Sequence, residues 1–418
     1  MNTDVRAFIA ILPLLLRMKR HQWKGREALE KMQEEKLASL LRHASENVPH
    51  YRKSLRGLRF RGLDSLPSLP LVSREDLRDT RSFVSARHQK LHNLATSGSS
   101  GNPISACYDM EELWYKQALR YFMYGEAGLG LFEERVWLTY RDYGQPSMLQ
   151  ALGIYRSRYL SFLDHEAKNL ARLKAIRPTA LLSYPSLLIP LARENIEGGH
   201  GFGVRLAFSS AELLTDWARK LITESFGCSL RNRYGAVETG SLAWECEKGS
   251  LHAYSDSLIM EIVDENGEPV KEGKSGEIVV TPLWRRSMPL IRYRMGDRAA
   301  FGPPCPCGRG LRTLKGLKGR SNDPIVLPSG REFWGTMLDI TLRGFRDILS
   351  FQGVQEEPGR LRLSIVRRES APGPDAEDIR RAINAAFPEP LEIEVEFVDG
   401  LERRGDGKIC DFVSKIKR

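Results

Sequence analysis

Short apolar runs alternate with amphipathic helical patterns in the first half of the chain, and this alternation most constrains its fold. The runs Val136–Tyr140, Ala180–Tyr184 and Val204–Phe208 are each about one strand long. Apolar residues at helical spacing occupy three other stretches, at residues 26–47, 111–124 and 213–226. Strands that alternate with helices predict a layered α/β fold.

The pattern changes after about residue 250, where strand-like segments follow one another without helices between them. They are Glu261–Val263, Gly276–Thr281 and Ile291–Arg294. Beyond Gly319–Asp323, strand-like runs flank a helical pattern, at Leu361–Ile365, 375–387 and Leu391–Val398. We predict a large α/β domain over residues 1–319, with a β-rich subdomain at about 245–319, and a small α+β domain over 320–418.

An apolar stretch near the start, Phe8–Leu16, is too short to span a bilayer. Basic residues follow it and no small-residue cleavage site is present, so a signal peptide is not indicated. The pattern favours a buried first helix, with a membrane-surface helix as the alternative. We expect a cytoplasmic protein without stable membrane insertion.

Charge and cysteine content exclude further classes. The 63 Lys and Arg residues outnumber the 53 Asp and Glu residues, which gives a net charge of +10. The basic residues are scattered and form no block interleaved with aromatics, so nucleic-acid binding is not expected. Six cysteines without a secretory signal argue for metal binding or catalysis before disulfides.

One segment combines hydroxyl side chains with glycines in a way that suits phosphate. Glycines let the backbone approach an anion closely, and N–H groups and hydroxyls then donate to its oxygens. A flexible Ser/Gly loop is the alternative, and the Gly-Lys-Ser/Thr ending of a Walker loop is absent. The residues of the segment are Thr96, Ser97, Gly98, Ser99, Ser100 and Gly101.

Two carboxylates lie in Gly-containing turns further along the chain. Glu238, within Tyr234–Gly240, suits Mg²⁺, which takes one or two carboxylates together with phosphate oxygens. Asp297 follows a predicted strand, where its carboxylate can accept both ribose hydroxyls of a nucleotide. Each motif alone is also compatible with an ordinary turn.

Together these segments resemble the acyl-adenylate-forming (ANL) superfamily, and its phenylacetate–CoA ligase-like branch in particular. That branch includes capsule-type and deazaflavin-adenylylating relatives. The motifs stand in the family's order, and the resemblance covers nearly the whole chain. Further matching stretches are Asn47–Tyr51, Ser209–Glu212, Glu245-Cys246, Leu251-His252 and Pro289–Arg294.

The resemblance implies an N-terminal adenylation domain, a mobile C-terminal lid domain and two catalytic residues, Lys408 and Glu238. Lys408 would reach the substrate carboxylate and the α-phosphate, and Glu238 would ligate Mg²⁺. The implied ATP- and AMP-binding residues are Thr96–Gly101, Ser210, Ala211, Glu212, Tyr234, Gly235, Asp297 and Arg320. The implied acid-pocket residues are Tyr184, Pro185 and Ser186.

Several positions depart from the superfamily pattern. Ile104 stands where many members carry a lysine, which is usual for this branch. The hinge carboxylate is replaced by Asn322, although Asp323 follows directly. Val326–Arg331 is more similar to capsule-type relatives than to phenylacetate ligases.

Two cysteine-containing pairs predict a structural zinc site. Cys246-x5-His252 and Cys305-x-Cys307 supply three thiolates and one imidazole, a set typical of closed Zn²⁺ sites. Both pairs fall within the predicted β-rich subdomain. Two unrelated turns with free thiols are the alternative.

The function predicted from the sequence is ATP-dependent activation of a carboxylic acid, with transfer of the acyl group to CoA or a phosphopantetheine carrier protein. An aryl acid is favoured by the Tyr and Trp residues near the predicted pocket. The alternatives are an adenylyltransferase, acyl transfer to an amine or alcohol, and a non-catalytic acid-binding homologue. A homodimer is compatible with the sequence.

Overall fold

The chain folds into two units, Met1–Gly319 and Arg320–Arg418. A computed structural model describes residues 3–58, 60–88, 90–95, 105–139, 150, 153–161, 164–318, 325–333, 338, 341–342, 345, 347–368, 373–387, 389–401 and 412–416.

The helices of the first unit follow the apolar periodicity of the sequence. In α2 the buried positions include Leu29, Leu37 and Leu40, which share one helical face. The helices are α1 Thr3–His21, α2 Arg26–Asn47, α3 Pro49–Ser54, α4 Thr80–Phe83, α5 Met110–Glu126, α6 Glu166–Ile176, α7 Pro185–Glu197 and α8 Asp216–Phe226, with 3₁₀ turns at Leu63–Ser68 and Asp76–Arg78.

Side-chain caps set where two of these helices begin. Asp109 accepts a hydrogen bond from the backbone N–H of Glu112, which completes a capping box at the start of α5. Thr215 accepts from the backbone N–H of Ala218, so α8 begins at Asp216, later than the predicted residue 213.

The prediction of a buried first helix is wrong for one face of α1. Ile11 and Met18 are buried, but Ile9 is 55%, Leu12 44% and Leu16 61% exposed. The apolar stretch continues around the whole helix, so packing against α5 covers only part of it. None of the helices in the described part of the chain has the length and apolar character needed to cross a bilayer.

One mixed sheet organises the first unit. Its strands lie in the order β10-β11-β12-β13-β9-β8-β7-β6-β5-β3-β4. They are β3 Arg135–Thr139, β4 Ser157–Ser161, β5 Ala180–Ser183, β6 Leu206–Ser210, β7 Ser229–Ala236, β8 Gly240–Glu245, β9 Leu251–Ala253, β10 Leu258–Val263, β11 Gly276–Pro282, β12 Tyr293–Phe301 and β13 Thr313–Lys318. A separate antiparallel pair comprises β1 His92–Ala95 and β2 Ser105–Tyr108.

Strand β7 separates the parallel part of the sheet from the antiparallel part. It pairs in parallel with β6 and antiparallel with β8. The strands β3 to β7 are mutually parallel, and β8 to β13 are antiparallel. The β-rich stretch is therefore a continuation of the same hydrogen-bonded sheet.

The predicted strand Ile291–Arg294 begins two residues later than expected, at Tyr293. Arg292 has φ 50°, a left-handed conformation that does not continue a strand. Its buried guanidinium pairs with Glu261 at 3.0 Å, and this ion pair accompanies the turn into β12.

The second unit is a small α/β unit built on a four-stranded sheet. The sheet order is β18-β17-β16-β19, with β16 and β17 antiparallel and both outer pairs parallel. Its elements are β14 Ile325–Val326, β15 Glu332–Phe333, β16 Ile348–Glu357, β17 Arg360–Arg367, α9 Ala376–Ala386, β18 Glu392–Phe397 and β19 Phe412–Ser414. The predicted fold class, a large layered α/β unit followed by a smaller one, is confirmed.

Candidate active site

The predicted nucleotide and acid-pocket residues meet where the parallel strands end. Tyr184 and Pro185 directly follow β5, Ser210 ends β6, and Tyr234 lies near the end of β7. Because β5, β6 and β7 are adjacent and parallel, their carboxyl ends share one edge of the sheet. Ser186 lies in the first turn of α7.

The chain turns sharply after β6. Ala211 has φ 68°, an uncommon left-handed conformation for a residue with a side chain. Ser210 is buried beside it, whereas Ala211 is exposed and Glu212 is half-buried. Unfavourable backbone conformations of this kind concentrate at functional sites, which makes this turn a site candidate.

Two hydrogen bonds join β7 and the turn after it to β12. Asp297 lies within β12, so the prediction that it follows a strand is wrong. The hydroxyl of Tyr234 donates to Oδ2 of Asp297 at 2.7 Å. The hydroxyl of Tyr293 donates to Oε1 of Glu238 at 3.1 Å. Each bond therefore joins the β7 region to β12. One bond involves Glu238, the predicted magnesium ligand, and the other involves Asp297, the predicted ribose ligand.

Both carboxylates are enclosed, with Glu238 1% and Asp297 8% exposed. Gly235 lies three residues before Glu238, and a Cβ at this position would lie 2.3 Å from the carbonyl oxygen of Gly240. Close backbone packing therefore explains the glycine at position 235 without any ligand.

The strand after the predicted phosphate loop contacts the Glu238 turn. The hydroxyl of Tyr108, on β2, donates to the carbonyl of Val237, and Lys116 Nζ on α5 donates to the same carbonyl at 3.0 Å. Ala95 and Ser105 pair across β1 and β2, so both ends of segment 96–104 are fixed together. Thr96–Gly101, Arg320 and Lys408 themselves lie outside the described residues.

The four predicted zinc ligands lie together within the first unit. Cys246 follows β8, His252 is on β9, and Cys305 and Cys307 lie between β12 and β13. Their four ligand atoms are all within 4.8 Å of one another. The register that pairs β8 with β9 and β9 with β13 produces this convergence.

The spacing of these atoms fits tetrahedral zinc. Tetrahedral Zn²⁺ with Zn–S of about 2.3 Å and Zn–N of about 2.0 Å holds neighbouring ligand atoms roughly 3.5–3.8 Å apart. The sulfurs of Cys246 and Cys305 are 3.7 Å apart, and Cys307 Sγ lies 3.4 Å from His252 Nε2. Nδ1 of His252 faces the carbonyl of Leu311 at 3.4 Å, which directs Nε2 towards the sulfurs.

We call the loop between β12 and β13, which carries Cys305 and Cys307, the cysteine-containing loop. It also contacts Gln22, directly after α1. Arg309 is buried, pairs with Glu126 at 2.8 Å and donates to the Gln22 side chain at 2.6 Å. The Gly310 N–H donates to the Gln22 carbonyl at 2.9 Å. A Cβ at Gly310 would lie 1.9 Å from the Lys24 carbonyl oxygen, so only glycine permits this approach.

Known proteins resemble the chain over most of its length. A phenylacetate–CoA ligase of Thermus thermophilus is 28% identical over 365 residues, 80% of both chains. The Staphylococcus aureus protein CapK is 23% identical and covers 84% of this chain and 81% of its own. A solved 2-hydroxyisobutyryl-CoA ligase in complex with 2-HIB-AMP superposes with a TM-score of 0.78 at 19% identity, covering 95% of this chain and 92% of its own. No protein-family model matches the sequence.

The chain is thus similar over most of its length to proteins of the acyl-adenylate-forming superfamily. Its resemblance to the phenylacetate–CoA ligase-like branch, inferred from short motifs, is thereby confirmed on whole-chain similarity.

Sequence reasoning missed several residues of the candidate site. Tyr293 and Tyr108 stood next to predicted motifs, yet their hydrogen-bond partners are distant in sequence. Lys116 and Arg120, four residues apart on α5, were not singled out among the scattered basic residues. The available signal was the i, i+4 spacing of two cations on a helix that is otherwise rich in apolar and aromatic residues.

Proposed function

We propose that this protein activates a carboxylic acid as its acyl-adenylate, with release of pyrophosphate, and then transfers the acyl group to CoA or a carrier-protein thiol. Its similarity to phenylacetate–CoA ligases over most of the chain supports an AMP-forming acid–thiol ligase. The observation that carries the proposal is the pair of crossing hydrogen bonds, Tyr234 to Asp297 and Tyr293 to Glu238, at the carboxyl edge of the parallel strands.

In this proposal Asp297 binds the ribose hydroxyls of ATP, and the segment Ser210–Glu212 flanks the adenine. Thr96–Gly101 would bind the β- and γ-phosphates, with Arg320 near the ribose. The contacts of Tyr108 and Lys116 with the Val237 carbonyl support this arrangement, because they join the strand after the loop to the Glu238 turn.

Magnesium would be held by Glu238 and by the phosphates of ATP. One buried carboxylate together with phosphate oxygens is a donor set that suits Mg²⁺, and the Tyr293 hydroxyl orients that carboxylate. When bound, the ion would neutralise negative charge on the phosphate oxygens.

The proposed reaction has two steps. A carboxylate oxygen of the acid attacks the α-phosphorus in line, the bond to the β-phosphate oxygen breaks, and pyrophosphate leaves. In the second step a thiol, losing its proton, attacks the acyl carbonyl, and AMP leaves. Lys408 would stabilise the charge that develops on the α-phosphate oxygens in the first step.

The molecule that accepts the acyl or adenylyl group distinguishes this proposal from its alternatives. Adenylyl transfer without CoA, or acyl transfer to an amine or alcohol, uses the same first step. The lid rotation that precedes thiol attack in the superfamily depends on a hinge, where this chain carries Asn322 and Asp323. A non-catalytic homologue would lack the first step altogether.

Acid-dependent exchange between pyrophosphate and ATP tests the first step. We expect exchange with members of a panel of aliphatic and aryl acids, and the aryl members test the predicted aryl preference. Addition of CoA, or of a phosphopantetheine carrier protein, should then yield a thioester. Absence of exchange with every acid would refute adenylation, whereas exchange without a thioester would favour the alternatives.

We also propose that Cys246, His252, Cys305 and Cys307 hold one structural Zn²⁺. Four protein ligands leave no open coordination position, so this ion would have no catalytic role. The 3.7 Å and 3.4 Å separations of the ligand atoms support the assignment. Elemental analysis should find about one zinc per chain.

A further inference from the structure

Four basic side chains gather beside the candidate acid pocket. Lys116 and Arg120 are one turn apart on α5, and Arg233 lies on β7. Arg285 follows β11, and its guanidinium lies 3.6 Å from the centre of the Tyr108 ring. Nζ of Lys116 lies 4.5 Å from the centre of the same ring. We call these four residues the cation cluster.

The cation cluster has few negative partners. Among the ion pairs of the described residues, none joins Lys116, Arg120, Arg233 or Arg285 to a carboxylate. Two carboxylates lie nearby. Glu112 accepts hydrogen bonds from the backbone N–H groups of Arg286 and Ser287, and Glu238, which partly offsets the charge of Lys116, accepts from the Tyr293 hydroxyl. Uncompensated cations in an interior are costly, and they are therefore candidates for a ligand-binding role.

Several donors of the cluster also lack an acceptor. Nε of Arg120, and Nε and Nη1 of Arg285, are shielded from water and have no hydrogen-bond partner among the described residues. Arg285 is fully buried, and its remaining Nη2 donates to the Cys107 carbonyl at 2.9 Å. Buried donors without acceptors are uncommon in native proteins, so an acceptor-rich ligand would account for them.

The electrostatic environment agrees with this geometry. Burial, together with Arg120, Arg285 and Arg233, lowers the pKa of Lys116 to about 7. Burial likewise lowers the pKa of Arg233, and the nearby cation Arg120 acts in the same direction. Both side chains are half-buried.

Strand register places the cluster next to the predicted acid pocket. Arg233 is directly paired with Ser210 across β7 and β6, so the two side chains lie on the same face of the sheet. Nη1 of Arg233 donates to the hydroxyl of Ser241 at 3.2 Å, on the next strand. Tyr184 is close enough to Arg233 to influence its charge.

We infer that the substrate is a carboxylic acid with a second anionic group, which binds at the cation cluster while its first carboxylate is adenylated. This inference deepens the proposed function and depends on it. Carboxylate, sulfonate and phosphate groups share the required chemistry, since each accepts several charge-assisted hydrogen bonds from Lys and Arg. The cluster thus selects against plain monocarboxylic acids.

Matched acids test this inference by kinetics of pyrophosphate release. Glutarate and terephthalate are compared with their monoamides, which keep size and shape but lack the second charge. We expect kcat/KM to be at least tenfold higher for each diacid. Adding 4-sulfobenzoate and 4-phosphonobenzoate shows which anion is preferred.

Two substitutions test whether the cation cluster binds the second anionic group of the substrate or only stabilises the fold. Lys116→Met and Arg233→Gln should raise KM for the diacids at least tenfold more than KM for the monoamides. Because Lys116→Met removes a buried cation together with its hydrogen bond to the Val237 carbonyl, the melting temperature should change little. Lys220→Met, at an exposed position on α8, removes the same charge and should change neither KM.

The possible outcomes are distinct. Equal kcat/KM for diacids and monoamides, or equal loss on both series in Lys116→Met with a lower melting temperature, would overturn the inference and leave adenylation intact. A lack of pyrophosphate release with every acid would overturn the proposed function, and this inference with it.

Discussion

The hydroxyl of Tyr293 donates a 3.1 Å hydrogen bond to the buried carboxylate of Glu238, 55 residues away in the chain. This bond fixes one carboxylate oxygen and joins the β7 turn to β12. The reciprocal bond from Tyr234 to Asp297 doubles the connection. The two carboxylates that we assign to magnesium and ribose are therefore positioned by tyrosines and not by regular strand pairing.

Replacing Glu238 by Gln should reduce adenylation about 100-fold or more, because the negative charge proposed to hold Mg²⁺ is lost. The amide oxygen can still accept from Tyr293, so the melting temperature should change little. Pyrophosphate exchange and a thermal melt measure the two effects. Unaltered exchange in Glu238→Gln would remove Glu238 from the site.

Tyr293→Phe is the matched test of positioning. It removes one hydrogen bond, worth about 0.5–1.5 kcal/mol, and leaves the Glu238 carboxylate charged. We expect a smaller loss of exchange than in Glu238→Gln, with part of the loss recovered at high Mg²⁺ concentration. A defect equal to that of Glu238→Gln and insensitive to Mg²⁺ would contradict a positioning role.

Lys408→Ala should greatly reduce acyl-adenylate formation and largely preserve ATP binding. The lysine is proposed to act as a point charge on the α-phosphate during the reaction, and the adenine and ribose contacts do not involve it. Exchange kinetics and equilibrium binding of ATP distinguish the two quantities. An undiminished rate of acyl-AMP formation would refute the assignment.

Cys305→Ser should lower the zinc content well below one per chain and reduce the melting temperature, because a structural site loses one of its four ligands. Cys228→Ala is the control, since Cys228 is a free thiol outside the cluster and should leave the zinc content unchanged. Wild-type protein that is folded and active without zinc would end the zinc proposal.

The affinity for a diacid should weaken as the pH rises. The pKa of Lys116 is lowered to about 7 by burial and by Arg120, Arg285 and Arg233, while Glu238 acts in the opposite direction. Below that pH the ammonium is charged and attracts the second anion, and above it the ammonium is neutral. KM for glutarate should therefore rise between pH 7 and 9, while KM for its monoamide stays level. The rise should be absent in Lys116→Met.

The sequence was sufficient for the fold class. Glu238 and Asp297 were selected because short motifs around them combine glycines with a single acidic residue, and their roles stay predictions. The four proposed zinc ligands were selected from spacing, although only the pairing of β8, β9 and β13 brings them together. These features depend on residues that are close together in the chain, so their patterns can be recognised in the sequence.

Other features depend on contacts between distant segments and could not be predicted in the same way. Lys116 is an ordinary helix cation in the sequence, and it becomes notable only when Arg233 and Arg285 fold beside it. The exposed face of α1 was missed because an apolar run does not reveal how much of a helix its neighbours cover. Arg292 interrupts a strand pattern through a buried ion pair with Glu261.

The attachment of Gln22 to Arg309 and Gly310 means that the segment directly after α1 is fixed to the rest of the first unit. A truncation that begins after residue 24 would leave a buried guanidinium without its amide partner, beside the cysteine-containing loop. Trimming the chain to this point to improve crystallisation should therefore lower the zinc content that we propose for the four-ligand site.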